Sequence, residues 1–253
     1  MASLCLVLPF QFQSGLAAFA LTTTKITTTR TASFSSRKAA ASTSSVPSYM
    51  TQLFSTPPTP SAAQKEEVDP GVVPGTDLRV AKYPSPFLRR TNAEITQAEL
   101  DDGSIGKIAK EMFLVMYAAE GVGLAAPQVG INKRLMVYNQ SGDKTKWLEQ
   151  VIMVNPKITE FSESKDIDNE GCLSFPVMNG LVERSKWVKV EAMNLRGKKI
   201  KKKYTGWEAR IFQHEYDHLD GVVYIDHLTD EGRAEVQPTL DELVLDFGED
   251  GVL

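Results

Sequence analysis

The sequence predicts an α+β fold, with short, mainly antiparallel strands around a central helix that carries an H-E-x-x-H motif. Three observations carry that expectation. From Ser104 onward, Ile105, Ile108, Ala109, Met112, Met116 and Ala119 recur at helical spacing. Short β-branched runs occupy Arg134–Asn139 and Val151–Ile158, and Val188–Leu195 alternates apolar with charged residues. Trp207–Leu219 reads as a second helix, stopped by Gly221, and it holds His214, Glu215 and His218.

The N-terminal part reads differently from the rest. The chain has 253 residues with 28 Lys and Arg against 32 Asp and Glu, a net of −4. Residues 1–65 hold five basic side chains, no acidic one and 22 Ser or Thr. The remaining 188 residues are therefore at −9. An Arg- and Ser-bearing, acid-free leader is the composition of an organelle transit segment, and it is expected to stay outside the folded core. Leu4–Leu8 is an apolar run cut by Pro9, far short of the ~20 residues that span a bilayer, so no membrane span is expected. A two-part presequence with a short secretory piece stays open beside the plain transit peptide. Thr56-Pro57-Pro58-Thr59-Pro60 reads as a linker, and the mature boundary is placed near 60–70. Residues 66–253 then suit one domain.

Within the body, residues 78–90 are extended, because Pro84 and Pro86 forbid a helix. Asp101, Asp102 and Ser104 supply capping types for the first helix, and Gly121 and Gly123 end it. Arg196-Gly197 offers a turn into a return strand, Lys198–Tyr204, and a last short helix is expected at Thr239–Phe247. Lys198, Lys199, Lys201, Lys202 and Lys203 read first as a charged edge that discourages strand pairing. Transient contact with ribosomal RNA is the other reading. An acidic body argues against a DNA-binding role. With Cys5 in the leader, Cys172 is the body's one thiol, so no intrachain disulfide forms there.

The chemistry starts from His214-Glu215-Tyr216-Asp217-His218. Residues four apart share one face of a helix, so two imidazoles can reach one metal with a carboxylate beside them. That makes the central helix a metal-binding one. His227 has no such frame and reads as surface or locally bonded. A catalytic site of this kind needs a third protein ligand. Glu231, Glu235, Asp241 and Glu242 lie downstream, and Cys172 lies upstream in Glu170-Gly171-Cys172-Leu173-Ser174. Thiolate chemistry favours Cys172, while spacing leaves the choice open. Gly121-Val122-Gly123-Leu124-Ala125-Ala126-Pro127-Gln128 allows close backbone approach and offers a side-chain amide, though an ordinary helix cap followed by a loop reads the same way.

Taken in order, G-x-G-L-A-A-x-Q, E-G-C-L-S and Q-H-E-x-D-H-L resemble the three motifs of the peptide deformylases, from about Leu78 to Leu228. The resemblance implies hydrolysis of the N-formyl group on the initiator methionine of new polypeptides, releasing formate. It implies Cys172, His214 and His218 as ligands of one divalent metal, iron(II) first, with zinc, nickel or cobalt able to substitute. It makes Glu215 the general base, with Gln128 and the backbone N–H of Leu173 stabilising the oxyanion. Val122, Gly123 and Gly171 would line the extended substrate, and Ile211 would wall the methionine pocket. Trp207 and Arg210 are expected at the pocket rim, and Asn179 near the substrate backbone. N-formylmethionyl nascent peptides are the implied partners. The implied compartment is a plastid or chloroplast, with the mitochondrion as alternative. Two other classes stay in view: an H-E-x-x-H endopeptidase with a downstream acidic ligand, and a non-catalytic metal module.

Overall fold

Burial decides which of these segments become elements. The computed structural model describes residues 70–247. The targeting segment expected at 1–65, its linker and its boundary lie outside the described residues. The elements are α1 (Gln97–Asp101), α2 (Ser104–Ala118), β1 (Gly123–Ala125), β2 (Leu135–Tyr138), β3 (Val151–Phe161), β4 (Lys165–Cys172), β5 (Phe175–Ser185), β6 (Trp187–Met193), β7 (Lys199–Thr205), α3 (Gly206–Leu219) and α4 (Asp230–Phe247). One antiparallel sheet runs in the order β1-β2-β3-β6-β7, and β4 and β5 form a separate two-stranded sheet. The fold is α+β, and every strand pairing is antiparallel. The strands are not all short: β3 and β5 each run 11 residues.

The expected stripe on α2 is buried. Ile105, Ala109, Met112 and Met116 pack with Leu124, Leu135 and Val137 from β1 and β2. On β6, buried Val188, Val190 and Ala192 alternate with exposed Lys189 and Glu191, as a sheet with one wet face requires. Those buried residues meet Ala209, Ile211, Phe212 and Leu219 of α3, which places the H-E-x-x-H helix against the sheet. Gly221, at φ +75, turns the chain out of α3, and a Cβ there would press on the carbonyl of Arg89.

Four elements depart from the expected pattern. Helix α1 is additional: Thr96 accepts from the Glu99 N–H, and the Glu99 carboxylate returns to the Thr96 N–H, a reciprocal cap. Strands β4 and β5 fill a stretch to which the sequence assigned no element; ladder bonds between them, rather than strand propensity, hold Lys165–Asn169 extended. Helix α4 starts at Asp230 rather than Thr239 and continues through Pro238. Thr229 starts it by accepting the Gly232 N–H on its hydroxyl and the Arg233 N–H on its carbonyl. Pro238 forfeits one helical bond. Buried Val236 and Leu240, packed with Phe175 and Met178, offset that loss.

Lys199, Lys201, Lys202 and Lys203 lie on β7, at one edge of the five-stranded sheet, with Lys198 just before it. Lys201 pairs with Glu191 at 2.6 Å and Lys202 with Glu208 at 3.1 Å. The Lys203 ammonium sits 3.9 Å above the Trp187 ring. These local engagements suit a protected edge.

Candidate metal centre

The helical spacing on α3 and the end of β4 bring three ligand types together. Cys172 closes β4 after a register shift from Gly171, and His214 and His218 stand one turn apart on α3. Their ligand atoms all lie within 4.8 Å of one another, and all three residues are buried. Cys172 Sγ is 3.3 Å from His218 Nε2. Glu231, Glu235, Asp241 and Glu242 of α4 are not part of this group. The chain thus supplies a three-residue thiolate–imidazole donor set that would leave one coordination position open, with the third candidate ligand upstream.

The surroundings fit a cation. Burial pushes the Cys172 thiol up to about 12, with the Ser174 backbone opposing. A thiol in that position becomes a good donor only beside a divalent ion, which strips its proton. Burial, reinforced by His214, holds His218 in the neutral form that binds metals. Burial also raises the Glu215 carboxyl well above the ordinary range, with the negative charge of Glu170 adding to it. Its Oε2 is buried and has no hydrogen-bond partner among the described residues.

Behind the ligands lies a saturated carboxylate. Glu170, fully buried, accepts from Arg184 Nε and Arg210 Nη1 on Oε1, and from Arg184 Nη2 on Oε2. His214 Nδ1 lies 3.0 Å from the same Oε2, which leaves Nε2 free to face a metal ion. Burial alone would raise the Glu170 carboxyl, but Arg184 and the His214 bond hold it below the usual carboxylate range. Arg184 also pairs with Asp217, and Asp217 holds His227 Nε2 at 2.8 Å. His227 is therefore locally bonded, as its lack of a motif suggested.

The glycine-rich segment closes the other side. Gln128 accepts the Ala125 N–H on Oε1 and aims Nε2 at Cys172 Sγ and Ser174 Oγ, each 3.4 Å away. At Gly123, a built Cβ would overlap the Glu215 carboxylate. β1 is an edge strand of its sheet, and Val122 and Gly123 sit at its start. Gly171 pairs with Asn179 on β5, and the Leu173 carbonyl accepts from Lys82 Nζ at 2.9 Å. Ile211 is fully buried in one cluster with Val122.

One expectation at the rim is corrected. Arg210 is 5% exposed and buried behind the ligands, because its guanidinium finds Glu170 and two backbone carbonyls there. Trp207 turns its indole N–H to the carbonyl of Gln140. Asn179 accepts from Asn169 at 2.9 Å across the hairpin. The network of Glu170, Arg184 and Asp217 went unread in the sequence. Glu170 and Arg184 share one face of β4–β5, a signal that becomes visible only once that hairpin is recognised.

Comparison with known proteins agrees with this geometry. The polypeptide deformylase family pattern matches residues 77–234. A chloroplastic peptide deformylase 1B of Solanum lycopersicum is 42% identical over 154 residues, 61% of this chain and 54% of that one. The chloroplastic/mitochondrial peptide deformylase 1B of Arabidopsis thaliana is 40% identical over 168 residues, 66% of this chain. The match spans 60% of that relative, so little more than half of each plant protein's length is covered. A crystal structure of the Plasmodium falciparum peptide deformylase superposes with a TM-score of 0.64 at 42% identity, covering 67% of this chain and 96% of that one. With its three motifs folded around one Cys/His/His cluster, the chain belongs to the polypeptide deformylase family.

Proposed function

We propose that this chain removes the N-formyl group from the initiator methionine of newly made polypeptides, releasing formate. The observation that carries the reading is the buried Cys172/His214/His218 cluster with an unpartnered Glu215 oxygen beside it. Cys172, His214 and His218 would hold one divalent ion, iron(II) by first choice, with zinc, nickel or cobalt as substitutes. Such an ion supplies Lewis acidity, acidifying a water and polarising a carbonyl.

The chain's own groups do the rest. Glu215 takes a proton from the attacking water and returns it to the amine as the C–N bond breaks. A carboxyl raised by burial is suited to both transfers. The Gln128 amide and the Leu173 N–H stabilise charge on the formyl oxygen, each worth about 3 kcal/mol. Val122, Gly123 and Gly171 hold the peptide extended as an added strand, and Ile211 walls the methionine pocket. Residues 1–65 act as a targeting segment ahead of the catalytic domain at 66–253, directing it to a plastid, with the mitochondrion as alternative. The leader's composition and the plant relatives' names support an organelle. N-formylmethionyl nascent peptides are then the partners. Ribosome contact through Lys198–Lys203 is the weaker part of this reading, since three of those lysines are engaged locally.

The test is formate release from a formyl-Met-Ala peptide by iron- or nickel-loaded protein. Glu215→Gln is expected to keep its metal and lose about 10²–10⁴ in kcat. Cys172→Ala is expected to lose both metal and turnover, whereas an endopeptidase using Glu235 or Glu242 would keep both. A folded, metal-replete sample that releases no formate overturns the proposal.

A further inference from the structure

The three ligands arrive on two bodies that share no strand ladder. His214 and His218 stand on α3, packed against the five-stranded sheet, while Cys172 ends a strand of the separate β4–β5 hairpin. At the Cys172 end one bond joins main chain to main chain outside the hairpin, from the Tyr83 N–H to the Ser174 carbonyl, and the Leu173 carbonyl takes the Lys82 ammonium. The distance from Cys172 to the histidines is therefore set largely by side chains.

Those side chains form a seam on one face of α3. Arg210, Gln213 and Asp217 follow i, i+3, i+7 spacing, and each meets the hairpin. Gln213 exchanges two bonds with the Ser185 backbone, at 3.1 and 2.9 Å, and Asp217 takes Arg184. Arg210 makes the widest bridge. Its guanidinium donates to Glu170 Oε1 at 2.7 Å, to the Val182 carbonyl of β5 at 3.0 Å and to the Asp166 carbonyl of β4 at 2.9 Å. It stands one turn before His214, and both reach the same carboxylate.

We propose that Arg210 is a positioning residue for the metal centre: it fixes Glu170, and through it His214, against the hairpin that delivers Cys172. The inference rests on the reading that Cys172, His214 and His218 hold a metal ion. A planar fork reaches three acceptors on two strands from two separate nitrogens in fixed directions, whereas an ammonium offers its donors from a single atom. Charge has a part as well. Glu170 and Asp217 are two buried or nearly buried carboxylates on Arg184, and Arg210 brings the second positive charge that balances them.

The experiment uses cobalt(II)-loaded protein and reads three quantities: the rate of cobalt release to a chelator, the thiolate-to-cobalt absorption band, and the Tm with and without metal. Arg210→Met is compared with Arg210→Lys and with Ile105→Ala, a buried change on α2 that destabilises without touching Glu170. Arg210→Met is expected to release cobalt about tenfold faster or more, with a shifted band. Arg210→Lys should fall between it and the parent, and Ile105→Ala should lower Tm while leaving band and release unchanged. Where Arg210→Met fails to fold, Arg210→Lys, which keeps the charge, decides alone. Parental release and an unshifted band in the folded Arg210 variants overturn the inference, even if their Tm falls. Parent protein that takes up no cobalt, iron or nickel overturns the metal reading, and this inference with it.

Discussion

At Gly123 the missing side chain is what lets β1 pass the Glu215 carboxylate, the proposed general base. A Cβ there would overlap Glu215, whose fully buried position leaves it no room to move aside. Gly123→Ala is therefore expected to cost on the order of 100-fold in kcat by displacing the carboxylate, while metal content stays at the parental level. Steady-state formate release together with metal analysis checks it, and an unchanged kcat would refute the close approach. The site residues differ in how visible they are in the sequence. His214 and His218 are legible because helical spacing is local, and Glu215 comes with them. Cys172 is legible through chemistry, since a thiol suits a metal better than the acids of α4. Arg210 is not: its acceptors lie 28, 40 and 44 residues away, and a charged residue before a motif reads as surface until the chain is folded.

Among the elements, the legible ones are those whose apolar residues repeat. The stripe on α2 and the alternation on β6 both bury the face their pattern marks. The i, i+3 spacing of Thr96 and Glu99, a reciprocal-cap pattern, is the local sign of α1. Strand β4 carries no such sign, because Asp166, Asp168 and Asn169 disfavour strands and only pairing with β5 makes one. Helix α4 is masked by its acidic start and by Pro238, and it is held by a few buried residues. Leu240, 1% exposed, is the main anchor in its second half. Leu240→Ala is expected to cost ~2–5 kcal/mol by leaving a cavity against β5. Chemical denaturation followed by circular dichroism measures it, and a loss below 1 kcal/mol would mean that α4 contributes little to the fold.

For the whole molecule, acid should act through carboxylates whose pairing ties distant segments. Arg89, before α1, forms a two-pronged pair with Asp226, beyond α3. Burial would raise the Asp226 carboxyl, but Arg89 and the Val223 backbone hold it below its ordinary value. A depressed folded value means the stabilisation is present above the unfolded value of about 3.9 and is lost as pH falls through the folded one. Asp226→Asn is therefore expected to lower the urea midpoint by a constant amount from pH 5 to 7, with the gap to the parent closing below about pH 4. A gap that widens in acid would reverse the sign and refute the pairing. The separation of the β4–β5 hairpin from the main sheet bears on time as well as on structure. Swinging it away would break side-chain bonds, apolar contacts and the Tyr83–Ser174 main-chain bond, but no ladder shared with the larger sheet. That local opening removes Cys172 from both histidines, while the rest of the chain stays folded. Under the proposed function, loss of a bound ion is therefore expected to outpace global unfolding, which metal release to a chelator measured beside the unfolding rate checks.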